Sequence, residues 1–198
     1  MFKPLIAISA LVVASLAMAQ TAQPLRLRAT IEKVEPGSIT VKERSGEVVT
    51  LLLASDLSVT EVYPISIDDI KADSYVGAAA TPGKDGTLDA VEVHVFPAAM
   101  RGAGEGHRPF DLMPQATMTN AAVVGMSSSA SGRTLKLKYK DGEKILNVPL
   151  NVPIVSFKPG DNALLVTGAK LIVTAEVRDG KPTATRISAG RNGFAPPM

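Results

Sequence analysis

Side chains that bind soft metal ions are concentrated in the middle of the chain: Met100, His107, Met113 and Met118, with His94 just before them and Met126 just after. Thioether sulfur and imidazole nitrogen are ligands that Cu(I) and Ag(I) prefer. Methionine is also a common filler of apolar cores, where no metal is needed to explain it. The cluster therefore makes a copper or silver site, with Met100, His107, Met113 and Met118 as ligands, one hypothesis for this chain.

A second candidate site lies in the same stretch, where His107, Arg108, Phe110 and Asp111 follow one another closely. A flexible spacer consists mostly of glycine and serine, whereas this segment combines an imidazole, two opposite charges and an aromatic ring. Disordered segments also contain few apolar side chains. We therefore expect residues 106–118 to be ordered, to pack between neighbouring domains and to present a binding surface.

Catalytic chemistry is not favoured by the residues present. The chain has no cysteine and two histidines, and it contains no Gly-x-Ser-x-Gly segment of the kind that exposes a nucleophilic serine. The carboxylates of Asp68–Asp69 follow Ser66 in a capping-box pattern, which predicts a helical turn. The glycines of 102–106 precede prolines rather than a helix, which argues against a phosphate-binding loop. We predict no catalytic residues and, apart from the copper alternative, no cofactor.

The N-terminus predicts export. Lys3 is followed by an uncharged apolar run over Leu5–Leu16 and by Ala17-Met18-Ala19, a small-x-small cleavage site. The apolar run is shorter than the roughly 20 residues that span a bilayer, although an uncleaved anchor is the alternative. We predict a signal peptide over 1–19, cleaved after Ala19, and a periplasmic or secreted protein with no membrane span after cleavage.

Composition narrows the class of partner. The formal net charge is +2, and the lysines and arginines form no basic cluster of the kind that nucleic-acid binding requires. The scattered aromatic residues offer no platform for base stacking. We therefore expect an envelope protein or a small ligand as the partner, and no nucleic acid.

Alternating apolar and polar residues predict the elements that must position these side chains. Leu25, Leu27, Ala29 and Ile31 alternate with polar residues, as in a half-buried strand. Turn signals recur every 8–12 residues along the rest of the chain, which is typical of a β-sandwich or a small barrel. The predicted fold class is all-β.

The two halves of the chain resemble each other. Gly46-Glu47 corresponds to Gly142-Glu143, and Asp85-Gly86 corresponds to Asp179-Gly180. These matches predict a tandem repeat of two OB-like β-barrels, at 25–97 and 117–190, joined by a Gly/Pro-containing linker at 98–116 and followed by a tail at 191–198. Two unrelated β-segments or a single sandwich are the alternatives.

The strand order and the recurring Asp-Gly hairpins resemble those of a bacterial exported family of small β-barrel domains of unknown function. The resemblance covers most of Leu25–Phe96 and Thr117–Ala189. Some similar proteins are loosely described as metal-transporter permeases, but this chain has no apolar span beyond its predicted signal peptide. The resemblance implies a fold and a compartment. We predict a non-enzymatic periplasmic binding or adaptor protein, with soft-metal binding as the alternative.

Overall fold

The computed structural model describes residues 24–197, so the predicted signal peptide lies outside the described residues. The prediction of an all-β fold is confirmed. Among the residues described, no helix is long and apolar enough to cross a membrane.

The chain forms twelve strands in one hydrogen-bonded sheet system, namely β1 (Leu25–Glu35), β2 (Ser38–Glu43), β3 (Val48–Pro64), β4 (Tyr75–Pro82), β5 (Leu88–Val95), β6 (Gly106–Pro109), β7 (Thr117–Ser129), β8 (Gly132–Tyr139), β9 (Gly142–Pro149), β10 (Ile154–Pro159), β11 (Lys170–Arg178) and β12 (Lys181–Ala189).

The alternation in the sequence corresponds to two faces of each strand. In β1, Leu27, Ala29 and Ile31 are buried, whereas Arg26 and Arg28 lie on the other face. Short 3-10 turns form at two of the predicted helix starts. The Ser66 hydroxyl accepts a hydrogen bond from the backbone N–H of Asp68, and the Asp161 carboxylate caps the second turn in the same way.

The two ends of the chain build a closed five-stranded barrel, here named the terminal barrel, from β1, β2, β3, β12 and β11. Strand β1 pairs antiparallel with β2 and with β11, and β3 closes the circle by pairing parallel with β12. Its interior contains side chains that are fully withdrawn from solvent, including Ile39, Val41, Leu51 and Ile187. Closure removes the free sheet edges that would otherwise recruit other strands.

The middle of the chain forms a second cycle of paired strands, here named the central ring, from β4, β5, β9, β8 and β7. Strands β7, β8 and β9 form an antiparallel meander, and β4 pairs antiparallel with β7. The cycle is closed by a short parallel contact that joins Leu88 to Leu146 and Asp89 to Asn147. Its apolar core includes Val76, Val93 and Leu135.

This pairing differs from the predicted division of the chain. Strands β1–β3 are completed by the hairpin β11–β12 rather than by β4–β5, so neither 25–97 nor 117–190 forms a closed unit alone. The reason is that both hairpins carry the same local turn signal. Asp179 and Gly180 have φ values of 51° and 73°, the left-handed pair that a tight hairpin turn needs. Such a signal specifies a hairpin but not the strands that it joins.

Strand β10 connects the terminal barrel to the central ring. It pairs antiparallel with the last residues of β3 and parallel with the end of β5. Beside it, Val62, Phe157 and Ile172 form a small apolar cluster against which Phe96 and Phe194 pack. The predicted tail is therefore attached to the barrel surface as far as the described residues extend.

The segment predicted as a linker, 98–116, contains a strand. Despite its glycines and prolines, β6 pairs antiparallel with the first residues of β7. Proline is tolerated here because an edge strand has one side that makes no ladder bonds, and Pro109 ends the strand. The pairing fixes the position of the side chains that follow it.

Candidate functional site

Three strands of the central ring bring His94, Gly77 and Asn120 into one row. Gly77 on β4 pairs with His94 on β5 and with Asn120 on β7. A β-carbon at Gly77 would lie 1.9 Å from Nε2 of His94 and 2.7 Å from Oδ1 of Asn120. The absence of a side chain at Gly77 therefore lets the imidazole lie across β4, with the Asn120 amide beside it.

A buried carboxylate orients this imidazole. Nδ1 of His94 lies 2.9 Å from Oε1 of Glu92, two residues earlier on the same face of β5. Glu92 is 0% exposed and His94 is 4% exposed. This contact uses Nδ1, whereas Nε2 makes no hydrogen bond to a described residue. The rings of Phe96 and Phe157, with centroids 4.7 and 5.2 Å from that of His94, hold the imidazole in place.

A cavity of about 170 Å³ opens above this row, between β1 of the terminal barrel and the β5–β4–β7 sheet. It is lined by Arg26, His94, Arg108, Phe110, Met118 and Asn120. The lining therefore combines two guanidinium groups, one imidazole and one amide with an aromatic ring and a thioether.

Arginines cover the cavity from the side of β1. The guanidinium carbons of Arg26 and Arg28 lie 5.2 and 5.6 Å from the centre of the Phe110 ring, within the range of cation–π attraction. Arg28 also donates two hydrogen bonds to the Asp111 carboxylate, at 3.0 and 2.8 Å. This contact holds the pKa of Asp111 below its usual value. Burial, followed by the neighbouring Arg28 charge, lowers the pKa of Arg26.

Arg108 projects into the cavity from the edge strand β6. Its Nη1 donates a hydrogen bond to the carbonyl oxygen of Gly104 at 2.8 Å, which fixes one end of the guanidinium fork. The other nitrogens of this fork make no hydrogen bond to a described residue, so they are available to a molecule in the cavity.

Buried polar atoms without a hydrogen-bond partner are concentrated here. Within the described part of the chain they are Nε of Arg28, Oε2 of Glu92 and Oδ1 of Asn120. The Asn120 amide is oriented by its nitrogen, which donates to the carbonyl oxygen of Ala103 at 3.0 Å, and its oxygen lies on the side of Gly77. Folded proteins rarely leave such atoms unpaired, and a bound molecule would satisfy the Asn120 oxygen.

The predicted binding residues lie in different positions relative to this cavity. Arg108 and Phe110 line it, and Asp111 holds Arg28 beside it. His107 lies on the opposite face of β6, where its Nδ1 is 2.8 Å from the Thr119 hydroxyl and its ring stacks on Tyr139. Burial, and to a smaller degree the Lys144 charge, lowers the pKa of His107.

The predicted metal ligands are not brought together at this cavity. Met118 lines it, but Met100 and Met113 are 40% and 41% exposed on the surface, and His107 is on the other face of its strand. Met126 is also exposed. Among the described residues, no three His, Asp or Glu side chains are grouped as a metal site.

Arg26, Glu92 and Asn120 are site residues that the sequence did not identify. One feature of the sequence could have indicated this site. Glu92 and His94 are two residues apart in an alternating strand and therefore share a face, where two ionisable groups need a reason to be buried. Arg26 and Asn120 become site residues only through the pairing of distant strands.

Comparisons of this chain with family models, curated proteins and solved structures found no match.

Proposed function

We propose that this chain is an exported, non-enzymatic binding or adaptor protein of the bacterial periplasm or cell exterior, with the cavity above Gly77 as its ligand site. The observation that carries the proposal is the unpaired and buried oxygen of Asn120. The hydrogen bond of the amide nitrogen to Ala103 orients this oxygen, which lies beside Nε2 of His94. Preformed polar groups of this kind, few in number and set against apolar walls, are typical of small-molecule sites.

We also propose that the chain is an OB-like duplication of the exported small-barrel family. Its two copies are intertwined, because the hairpin of each copy closes the three-stranded meander of the other. Both cycles have the same relation between a three-stranded meander and a hairpin. The first meander strand pairs antiparallel with the first hairpin strand, and the third pairs parallel with the second. This shared relation supports the repeat that the sequence indicates.

Soft-metal binding is the second candidate, with a ligand set that differs from the one the sequence predicts. His94 and Met118 line the same cavity, and an imidazole held by a carboxylate is a common arrangement around metal ions. The guanidinium groups of Arg26 and Arg108 oppose it, because they repel a cation in a confined, partly buried space. We therefore rank this candidate second.

Native mass spectrometry of the protein purified from its own envelope tests the proposal. We expect a fraction of the protein to carry a small bound mass that is lost on denaturation. Gly77→Ala should lose this mass because the new β-carbon displaces His94. Gly125→Ala is the matched control on β7, since a β-carbon there meets only the Lys136 side chain, at 3.4 Å.

Three results would count against the proposal. The first is an unliganded wild-type protein, and the second is a bound mass that Gly77→Ala retains. The third is a bound copper ion in place of an organic mass, which would favour the second candidate.

A further inference from the structure

We propose that the cavity selects a small monocarboxylate that carries a hydrogen-bond donor beside its carboxylate group. The ligand carboxylate lies between the guanidinium groups of Arg26 and Arg108, and its donor faces the Asn120 oxygen. This inference rests on the proposed function and names the ligand class of the same site. It is carried by the charge, the hydrogen-bonding capacity and the size of the cavity.

The charge of the site favours an anionic ligand. Arg26 and Arg108 place two guanidinium groups on the cavity, whereas Arg28 and Asp111 neutralise each other. Guanidinium groups also match the planar geometry of a carboxylate.

The hydrogen-bonding capacity of the site requires a donor on the ligand. The free oxygen of Asn120 can only accept a hydrogen bond, and its amide nitrogen is already committed to Ala103. A hydroxyl or ammonium group next to the carboxylate would satisfy this oxygen, while a plain carboxylate would leave it unpaired.

The size of the cavity favours a small ligand. Its volume of about 170 Å³ is below the roughly 300–1,000 Å³ of sites for drug-sized molecules. The Phe110 ring and the Met118 thioether form the apolar part of the wall, which suits a short hydrocarbon segment.

Isothermal titration calorimetry with defined probes tests the inference on the dialysed protein. The probes are L-lactate, glycine, propionate, inorganic phosphate and Cu(I). Lactate and propionate differ only by the hydroxyl group, whereas glycine carries an ammonium group instead of the hydroxyl group, lacks the methyl group and has no net charge. We expect lactate or glycine to bind about tenfold or more tightly than propionate, because propionate leaves the Asn120 oxygen unpaired. We expect phosphate to bind more weakly than the preferred carboxylate.

Variants assign the binding to the cavity. Arg108→Gln should weaken the preferred carboxylate about tenfold or more, since it removes a charged hydrogen bond, and Arg108→Lys should recover part of the loss. Arg186→Gln is the control, because Arg186 is an exposed arginine on β12, outside the cavity lining. It should leave the affinity unchanged.

Several outcomes would overturn the inference. Equal affinity for propionate and lactate would remove the role of the Asn120 oxygen, and tighter binding of phosphate would replace the ligand class. Loss of binding in Arg186→Gln would place the site elsewhere. If no carboxylate binds while the envelope protein still carries an organic mass that Gly77→Ala loses, the inference fails and the proposed function stands. If the mass is absent as well, both fail.

Discussion

Two glutamates, Glu61 and Glu92, are buried to a similar degree, at 5% and 0% exposure, but their surroundings differ. The Glu61 carboxylate on β3 accepts hydrogen bonds from Arg191 at 2.8 and 3.2 Å and lies 3.2 Å from the Lys158 ammonium group. Two positively charged groups therefore lie against the Glu61 carboxylate, and the contact with Arg191 holds the C-terminal tail against the terminal barrel.

Glu92 on β5 has one partner among the described residues, the imidazole of His94, and its second oxygen is unpaired. Leaving a buried polar atom unpaired costs about 1–3 kcal/mol, so this site does not serve stability. The comparison teaches that burial alone does not mark a functional carboxylate. The two glutamates are distinguished by the missing partner of Glu92 and by the cavity that its neighbour His94 lines.

The largest expected effect comes from Gly77→Ala, which breaks the Glu92 site and leaves the Glu61 site intact. The added β-carbon would lie 1.9 Å from Nε2 of His94, so the imidazole must leave Glu92 without its partner. We expect ligand binding to be lost and the free energy of unfolding to fall by about 1–3 kcal/mol, as for other overpacked sites. Urea denaturation measures the change, and Gly125→Ala should differ little from the wild type.

The second prediction compares the glutamates directly through Glu61→Gln and Glu92→Gln. The first removes the charge that Arg191 and Lys158 share, so we expect a lower urea midpoint and a tail that exchanges its amide hydrogens faster. The second replaces a carboxylate whose second oxygen has no partner, so we expect a midpoint equal to or above that of the wild type. Equal destabilisation by both variants would end the distinction between the two sites.

The third prediction concerns the pH dependence of stability. The hydrogen bond from Arg191, followed by that from Lys158, holds the pKa of Glu61 below its ordinary value of 4.5. A carboxylate whose pKa is lower in the folded state stabilises the fold above the unfolded pKa, and this contribution is lost as the pH falls through the folded pKa. The urea midpoints of the wild type and Glu61→Gln should therefore differ at about pH 7, and the difference should shrink as the pH is lowered below 4.5. A constant difference between those pH values would contradict this account of Glu61.

The smallest expected effect is that of Asp111→Asn. Asp111 is bound by Arg28, but its side chain is 59% exposed, and exposed ion pairs contribute about 0–1 kcal/mol. We expect a small loss of stability and a moderate loss of ligand affinity, because an unpaired Arg28 would disturb the Phe110 ring that it covers. Calorimetry against the preferred carboxylate measures the affinity. A loss of stability as large as that of Gly77→Ala would show that this contact is mainly structural.

The sequence predicts the local structure of this protein better than its assembly. The alternation in Leu25–Glu35, the capped turn at Ser66 and the hairpin at Asp179-Gly180 depend on residues close together in the chain, and all three occur in the structure. The pairing of β1 and β3 with the hairpin β11–β12 rather than with β4–β5 depends on contacts between distant strands. Two hairpins with the same turn signal give no local reason to prefer one partner over the other.

The candidate site was predicted in part for the same reason. Arg108 and Phe110 were identified because an imidazole, charges and an aromatic ring are unusual in a spacer. Arg26 and Asn120 are separated by nearly half of the chain and meet at one cavity only because the terminal barrel lies next to the central ring. The burial of His94 depends on the absence of a side chain at Gly77, which is visible only once the register of β4 and β5 is known.

A crystal structure of the protein purified from its own envelope tests the central claim most directly. We predict electron density for a small molecule between the guanidinium groups of Arg26 and Arg108, within hydrogen-bonding distance of the Asn120 oxygen, with the contact between Glu92 and His94 preserved. A cavity filled by ordered water alone, with water molecules satisfying the oxygens of Asn120 and Glu92, would contradict the claim that this cavity is a ligand site.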